Sequence, residues 1–555
     1  MKQEFNKSVV INHHINLRRG WLIVAAFAAL VAGEVSVGAR SAHAGWGEDA
    51  LIREANYIAD CSFSRYCTWY ATHPNDAGGF NTSSAAYGAL NDIRVNQQGA
   101  DFVRPGESAM GAVGLIQAVR QLRALNGSGT YNAQITRYDN VLGAFFRTYV
   151  LKRTTDAGGN HFQILQDGSN AVYSQIYYNT DGSWRQNDAP NIGVTAQMMI
   201  ALWKYCDYQE SLGITNFRND PVTWDFMTRA ASYLTWSGRY NATYDLVSND
   251  AGGWMWTADN ALAVAALQCA AKWAQTKGLG TSVYQPWLNR AANIQKGLLA
   301  LKDTGGWKGF YRVRKSDGTA SYDAGDGNGR VVDQLCFAPY ETNALSTIPG
   351  FAYPSGGSAD YPNPTQLQDW NFANAISDFW TVGDGASGFP AMTDSRNDWR
   401  FYGTKWHYYY DNPGRTENHQ LYPGPGLQLA KVEWKCANAR GQDTDTYRNT
   451  AGTVAYRANR RFRWANTGDA TGGNLWYGGG SWNPFTGVWT AGQWTYGVSF
   501  PSEGDHGISN GIIDWRDADN YNRAADEWNR FIDTSAYFIE VTLMNIWRQD
   551  TRYTP

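Results

Sequence analysis

The chain has 555 residues and a formal net charge of −3 at pH 7. Binding a phosphate backbone takes clusters of Lys and Arg, so this mildly acidic balance sets nucleic acid aside as a partner. The length exceeds the usual size of one domain and calls for a large repetitive architecture or two domains. With 25 Trp, 33 Tyr and 58 Gly, the composition favours carbohydrate contact. Aromatic faces stack on sugar rings, and glycine lets loops turn tightly around a ligand. The same residues also serve simple packing in large toroids and in β-rich exported proteins.

In chain order, the first element is a leader. Lys2, Lys7, Arg18 and Arg19 precede an apolar run from Trp21 to Ala32, and Ser41-Ala42-His43-Ala44 follows. This is the pattern of a secretory signal with an A-x-A site, so residues 1–44 are expected to be a signal peptide cut between Ala44 and Gly45. The apolar run of roughly 12 residues is too short for an anchor, since spanning a bilayer takes about 20. Arg18-Arg19 before the run also fits a twin-arginine signal, which leaves the export route open. The expected location is secreted, periplasmic or cell-surface. The sequence holds no second apolar run of membrane length, so no membrane association is expected once the signal is removed. The leader carries five Lys/Arg and two Asp/Glu, and the mature chain would have a net charge of −6.

Cys61 and Cys67 are close enough in sequence for a local disulfide in an oxidising compartment. Cys206, Cys269, Cys336 and Cys436 fall inside apolar helical runs and read as small buried hydrophobes. There is no C-x-x-C pair to suggest a metal site.

Helical periodicity recurs in pairs along residues 45–555. One member of each pair is rich in Ala, Gly, Leu and Met and is apolar nearly all round, over 107–125, 191–208, 257–275, 329–346, 424–439 and 534–548. Such helices are expected to be buried on every side. The other member is amphipathic, over 134–151, 221–236, 285–301, 366–381 and 443–462. Six buried helices alternating with exposed partners suit a mainly α fold, an (α/α)6 barrel in one catalytic domain. Spacings of roughly 65 to 110 residues between buried helices exceed a solenoid repeat. The surplus goes into long Gly- and aromatic-rich loops and β-hairpins on one face. Residues 465–514 are expected to be a loop and strand insertion there. Asp76-Ala-Gly-Gly-Phe80, Asp156-Ala-Gly-Gly159, Asp250-Ala-Gly-Gly-Trp254 and Asp303-Thr-Gly-Gly-Trp307 repeat one turn pattern, with Asp469-Ala-Thr-Gly-Gly473 as a looser copy.

Ala/Gly-rich buried helices, these turns and acids near helix starts together resemble the six-hairpin glycosidase superfamily, over roughly 107–548. Trp254-Met-Trp256-Thr-Ala-Asp259-Asn260 is similar to the inner-helix motif of endo-α-1,6-mannanases. Those carry two adjacent Asp residues where this chain has Ala258-Asp259. Arg104-Pro-Gly-Glu107-Ser-Ala-Met-Gly111 is similar to the segment that carries the general acid in some inverting endoglucanases. The resemblance implies an (α/α)6 enzyme acting on polysaccharides, most often by inverting hydrolysis.

Glycoside hydrolysis needs one carboxylic acid to protonate the leaving oxygen and one carboxylate as base or nucleophile. The starts of the buried helices are where such groups converge on a barrel mouth. Glu107, Asp259, Asp333 and Glu417 occupy that position and are the catalytic candidates, although acids in a first turn also act as simple caps. Trp184, Trp254, Trp256, Trp307 and Trp406 are candidate stacking platforms, and His407, Arg415, His419 and Tyr422 form a dense polar-aromatic cluster around Glu417. Asp505 and His506 form a second polar knot. No metal or other cofactor is expected. The run from Asp323 to Asp333 has oxygen ligands for calcium but not the EF-hand spacing. No P-loop, dinucleotide, H-E-x-x-H or G-x-S-x-G pattern stands out in a context that would support its chemistry. The expected partner is a polysaccharide or oligosaccharide substrate cleaved by hydrolysis. The rivals are β-elimination on a uronic-acid polymer, with Arg415 neutralising the uronate and His419 or a Tyr taking the proton, and a non-enzymatic cell-surface or glycan-binding protein.

Overall fold

The structure is a computed structural model. It describes residues 42–68, 82–91, 102–154, 160–179, 182–249, 253–303, 309–311, 313–321, 329–331, 407–409, 420–421, 481–483, 488–490, 516–517, 532–547, 549, 551 and 553. The chain divides into two compact units, residues 1–46 and 47–555. The mainly α expectation holds. The helices are α1 (Ala42–Asp60), α2 (Pro105–Leu125), α3 (Asn132–Gly143), α4 (Ile192–Ser211), the short α5 (Asn216–Asn219), α6 (Pro221–Thr235), α7 (Thr257–Thr276), α8 (Thr281–Leu299) and α9 (Ile532–Trp547). Among the described residues the sheets have two or three short strands each, and no helix is long and apolar enough to cross a membrane.

Local signals set the helix starts. Pro105 and Pro221 stand at the first turns of α2 and α6, where their missing N–H costs nothing. Asn191 caps α4 by accepting from the Val194 N–H at 3.0 Å, and Asp220 caps α6 by accepting from Val222 at 2.7 Å.

Helices α2, α4 and α7 are buried on almost every face, as their uniformly apolar sequences require. They lie side by side in sequence order, and α9 packs on the far side of α2. All four run parallel. Near the start of α2, Gly106 lies against Val194 and Gln197 of α4. Near its end, Arg120 pairs with Asp207 at 2.7 Å, and the Arg123 Nε donates to the Tyr208 hydroxyl at 2.8 Å. Gly193 of α4 faces Asp259 of α7, and further along the Trp203 and Trp273 rings lie 6.4 Å apart. Gly111 and Gly114 of α2 meet Ile532 and Ala536 of α9, and Gln117 donates to Glu540 at 3.1 Å. The last described helix of the chain is thus the neighbour of the first buried one.

The intervening α3, α6 and α8 pack outside this layer, α8 most extensively on α7. Helix α1, which the periodicity of the sequence did not reveal, makes polar contacts with α9 and α3. Ser535 donates to the buried Glu54 at 2.8 Å, and Tyr138 of α3 donates to Asn56 at 2.9 Å. The C-terminal residues fold back, with Tyr553 buried and its carbonyl accepting from the Cys269 thiol at 3.4 Å.

Three expectations need correction. The helix read over 134–151 becomes a π-helix at Ala144–Val150, where Phe145, Phe146 and Tyr149 all turn into the core. Phe146 stacks on Tyr205 with centroids 4.3 Å apart. The helix read from 329 is a strand at Gly329–Val331, paired antiparallel with His407–Tyr409. The antiparallel ladder satisfies the backbone of these residues through a partner far away in sequence. Cys61 and Cys67 are buried thiols, and the Cys67 thiol donates to the Asp60 carbonyl at 3.2 Å. The rest of the 329–346 segment, 424–439, 366–381 and 443–462 lie outside the described residues. Within 465–514 the described strands Ser481–Asn483 and Val488–Thr490 form an antiparallel pair.

The parallel layer depends on glycine at the α2–α9 contact. A Cβ on Gly114 would lie 2.6 Å from the Ala536 backbone, whereas one on Gly143 meets nothing within 4 Å. Gly114→Val is expected to lose roughly 1–3 kcal/mol or more, and Gly143→Ala to be neutral or to gain up to about 1 kcal/mol. Thermal and denaturant unfolding of both variants checks the pair of outcomes.

Candidate active site at the helix starts

Because α9, α2, α4 and α7 are parallel neighbours, their N-termini share one end of the layer. Each contributes polar side chains to it. Helix α7 supplies Asp259 in its first turn, after Trp256 in extended conformation. Asp259 reaches the first turn of α4, where one carboxylate oxygen lies against Gly193. A side chain at residue 193 would collide with it, so glycine there makes room for the acid. The second oxygen accepts from the Asn249 amide. The amide oxygen of Asn249 accepts in turn from the Ile192 N–H at 2.6 Å. Asn249 therefore bridges the start of α4 to the carboxylate of α7. The helix dipole of α4 attracts negative charge at this point.

On the other side of the layer, α2 begins after Arg104 and carries Glu107 in its first turn. Glu107 is partly exposed. The neighbouring α9 carries Asp533 in its first turn, where the carboxylate accepts from the Thr534 N–H at 2.7 Å. Asp533 keeps a minority of its surface open. The protein crowded around it excludes water and pushes its carboxyl up from 3.8 to about 6. The Thr534 hydrogen bond and the charge of Arg104 oppose that rise without cancelling it.

Aromatic rings flank the same end. Trp254 and Trp256 lie with centroids 5.8 Å apart at 40°, both partly exposed. The Lys315 ammonium sits 5.3 Å from the Trp254 centroid, and the strand Met255–Trp256 pairs with Val313–Arg314. Gly253, from the repeated Asp-x-Gly-Gly turn, has φ 75, the conformation that glycine was expected to supply there. A small sheet of Phe102–Val103, Ile176–Tyr178 and Trp184–Asn187 leads into the starts of α2 and α4. It carries Trp184, exposed at 38% and edge-on to Tyr173 at 6.4 Å, and Phe102 at 6.0 Å from Tyr177.

Of the sequence candidates, Glu107, Asp259, Trp184, Trp254 and Trp256 belong to this end. Asp333, Glu417, Trp307, Trp406, Arg415, His419, Tyr422, Asp505 and His506 lie outside the described residues, and His407 is described only as strand backbone. Sequence reasoning missed Asp533, Arg104 and Asn249. Asp533 obeys the same rule as the other acids, but a helix start set at residue 534 left it one position outside. Asn249 had no such signal, since its role depends on α4 and α7 meeting. Among the described residues no group of His, Cys, Asp and Glu is arranged to hold a metal ion.

No protein-family model matches the chain, and no curated protein matches it. It is similar to several solved structures. A D-mannose isomerase aligns over 92% of this chain and 99% of its own, at 10% identity and TM-score 0.49. A reducing-end-xylose releasing exo-oligoxylanase aligns over 64% and 78%, at 12% identity and TM-score 0.37. A bacterial glucoamylase complexed with acarbose aligns over 85% and 54%, at 13% identity and TM-score 0.39. By name, all three are enzymes that act on sugars. With every TM-score below 0.5, the likeness assigns neither an activity nor a substrate to this chain.

Proposed function

We propose that this chain is an exported enzyme that hydrolyses glycosidic bonds of a polysaccharide at the end of the layer where the buried helices begin. The observation that carries the reading is that acids stand in the first turns of parallel buried helices, Asp533 on α9, Glu107 on α2 and Asp259 on α7. Asp533 holds its proton up to about pH 6, while Asp259 sits over the start of α4 with Asn249 fixing its second oxygen. Burial of this kind keeps a carboxyl protonated so that it can serve as a general acid. Asp533 donates a proton to the departing glycosidic oxygen. Asp259 receives the proton of the attacking water, and Glu107, between them in the order of helices, holds sugar hydroxyls. Trp254 and Trp256 supply ring faces for the sugar, and Trp184 extends the track. In this reading the four parallel helices are part of an (α/α)6 ring, and residues 1–44 direct export.

Asp259→Asn and Asp533→Asn are each expected to lower product release at least 100-fold, with little change in thermal midpoint at pH 5. Chromatography of products from a panel of polysaccharides measures this. Normal cleavage by both variants overturns the site, and products absorbing as unsaturated sugars replace hydrolysis with β-elimination. Trp254→Ala is expected to raise KM more than it lowers kcat.

The titration of Asp533 has its own signature. Its carboxyl is raised in the folded state, so the native protein keeps a proton that the unfolded chain has lost. The stabilisation is complete below about pH 4 and is lost as pH rises through about 6. Its ceiling is about 3 kcal/mol. Asp533→Asn is therefore expected to be more stable relative to wild type at pH 8 than at pH 4. Unfolding titrations at the two values test this, and wild-type kcat/KM is expected to fall above about pH 6.

A further inference from the structure

A cavity of about 510 Å³ opens at the other end of the helical layer. Small-molecule sites occupy roughly 300–1,000 Å³. Arg123 on its wall is roughly 27 Å along α2 from Pro105, at about 1.5 Å per residue, so this cavity is separate from the acid rim. Its walls are the end of α3, the π-helix that follows, and the last turns of α2 and α4.

Three observations point to a ligand. First, the π-helix Ala144–Val150 forms one wall and presents Arg147 and Thr148 to the space. Such widened turns are uncommon and concentrate at functional sites. Second, Leu212 and Ile214 stand at the edge, exposed at 36% and 39%. They are two of the five exposed large hydrophobic residues among those described. Third, Gly143 faces the cavity in right-handed helical conformation, with open space where its Cβ would be.

The polar groups are fixed by the protein. Arg147 Nη2 donates to the Gln209 side chain at 3.1 Å, and its guanidinium lies 4.6 Å from the Phe217 centroid. Asp139 is held by Arg123 and by the Tyr208 hydroxyl. Donors and acceptors therefore alternate along the wall, with both signs of charge present. Arg123 and Asp139 cancel each other's charge on this wall, and the negative dipole ends of α2 and α4 offset the charge of Arg147. A neutral ligand with many hydroxyls on one face and C–H groups on the other satisfies both surfaces.

From this arrangement we infer that the cavity is a second binding site for a neutral sugar residue, remote from the catalytic rim. Vicinal hydroxyls bridge Arg147, Gln209 and Asp139, while Leu212, Ile214 and the Tyr66 ring cover the apolar face. The inference does not depend on the rim being hydrolytic.

The test is ligand-observed NMR of the full chain with D-glucose, D-mannose, D-galactose and D-xylose, with acetate and phosphate as comparators. Gly143→Phe fills the cavity from a position that has room for a side chain, and Gly143→Ala controls for the backbone. At least one sugar is expected to bind wild type and Gly143→Ala, and to lose at least ten-fold in affinity in Gly143→Phe, with Tm and rim activity unchanged. Absence of sugar binding, binding that Gly143→Phe leaves intact, or sensitivity confined to acetate or phosphate each overturns the proposal. Should Gly143→Phe fail to fold, Arg147→Gln and Gln209→Ala together replace it, with the same loss expected. Loss of hydrolysis in the rim variants leaves this result untouched, so the two readings fail separately.

Discussion

Close parallel packing of buried helices is the constraint on which the remaining structure rests. Gly111 and Gly114 bring α2 against Ile532 and Ala536 of α9, and Gly106 and Gly193 let α2, α4 and α7 approach at their starts. Larger residues at those points would separate the helices. The Ala- and Gly-rich composition of the buried helices is therefore a requirement of backbone approach. The helix-propensity penalty of glycine, about 1 kcal/mol each, is offset by packing that only a missing Cβ permits.

Parallel alignment has an electrostatic consequence. The described buried helices α2, α4, α7 and α9 all begin at the same end, so several positive dipole ends face one region. Acids gather there: Glu107, Asp259 and Asp533. For Asp533, desolvation outweighs the Thr534 hydrogen bond and Arg104, and the carboxyl rises to about 6. Local crowding thus decides its protonation. The dipole field at the helix starts favours ionisation, and for Asp533 the surrounding protein outweighs it.

The sequence was most legible where one physical signal dominated. Uniform apolar character identified α2, α4, α7 and α9 to within a few residues, because burial on all sides leaves no other pattern. Amphipathic period located α6 and α8. The failures share a cause. The strand at Gly329–Val331 is stabilised by His407–Tyr409, far away in sequence. The π-helix serves rings that meet Tyr205 across the layer. Asn249 matters through Ile192 and Asp259. Each depends on a partner that local periodicity cannot specify. Asp533 is different, since the rule that found Asp259 covers it and only a boundary error of one residue hid it.

The two ends of the layer differ in what their acids are free to do. At the far end, Asp139 is engaged by Arg123 and the Tyr208 hydroxyl, and Asp207 by Arg120. Guanidinium groups near helix C-termini complement the negative dipole ends, and they tie those carboxylates down. Proton transfer there would first have to break an ion pair. At the helix starts, Asp259 is oriented by a neutral amide and Asp533 is held protonated by burial. For Asp533 the opposing positive charge is that of Arg104, and burial outweighs it. The same parallel geometry thus gathers paired charge at one end and, at the other, a carboxyl, Asp533, whose proton is held by burial.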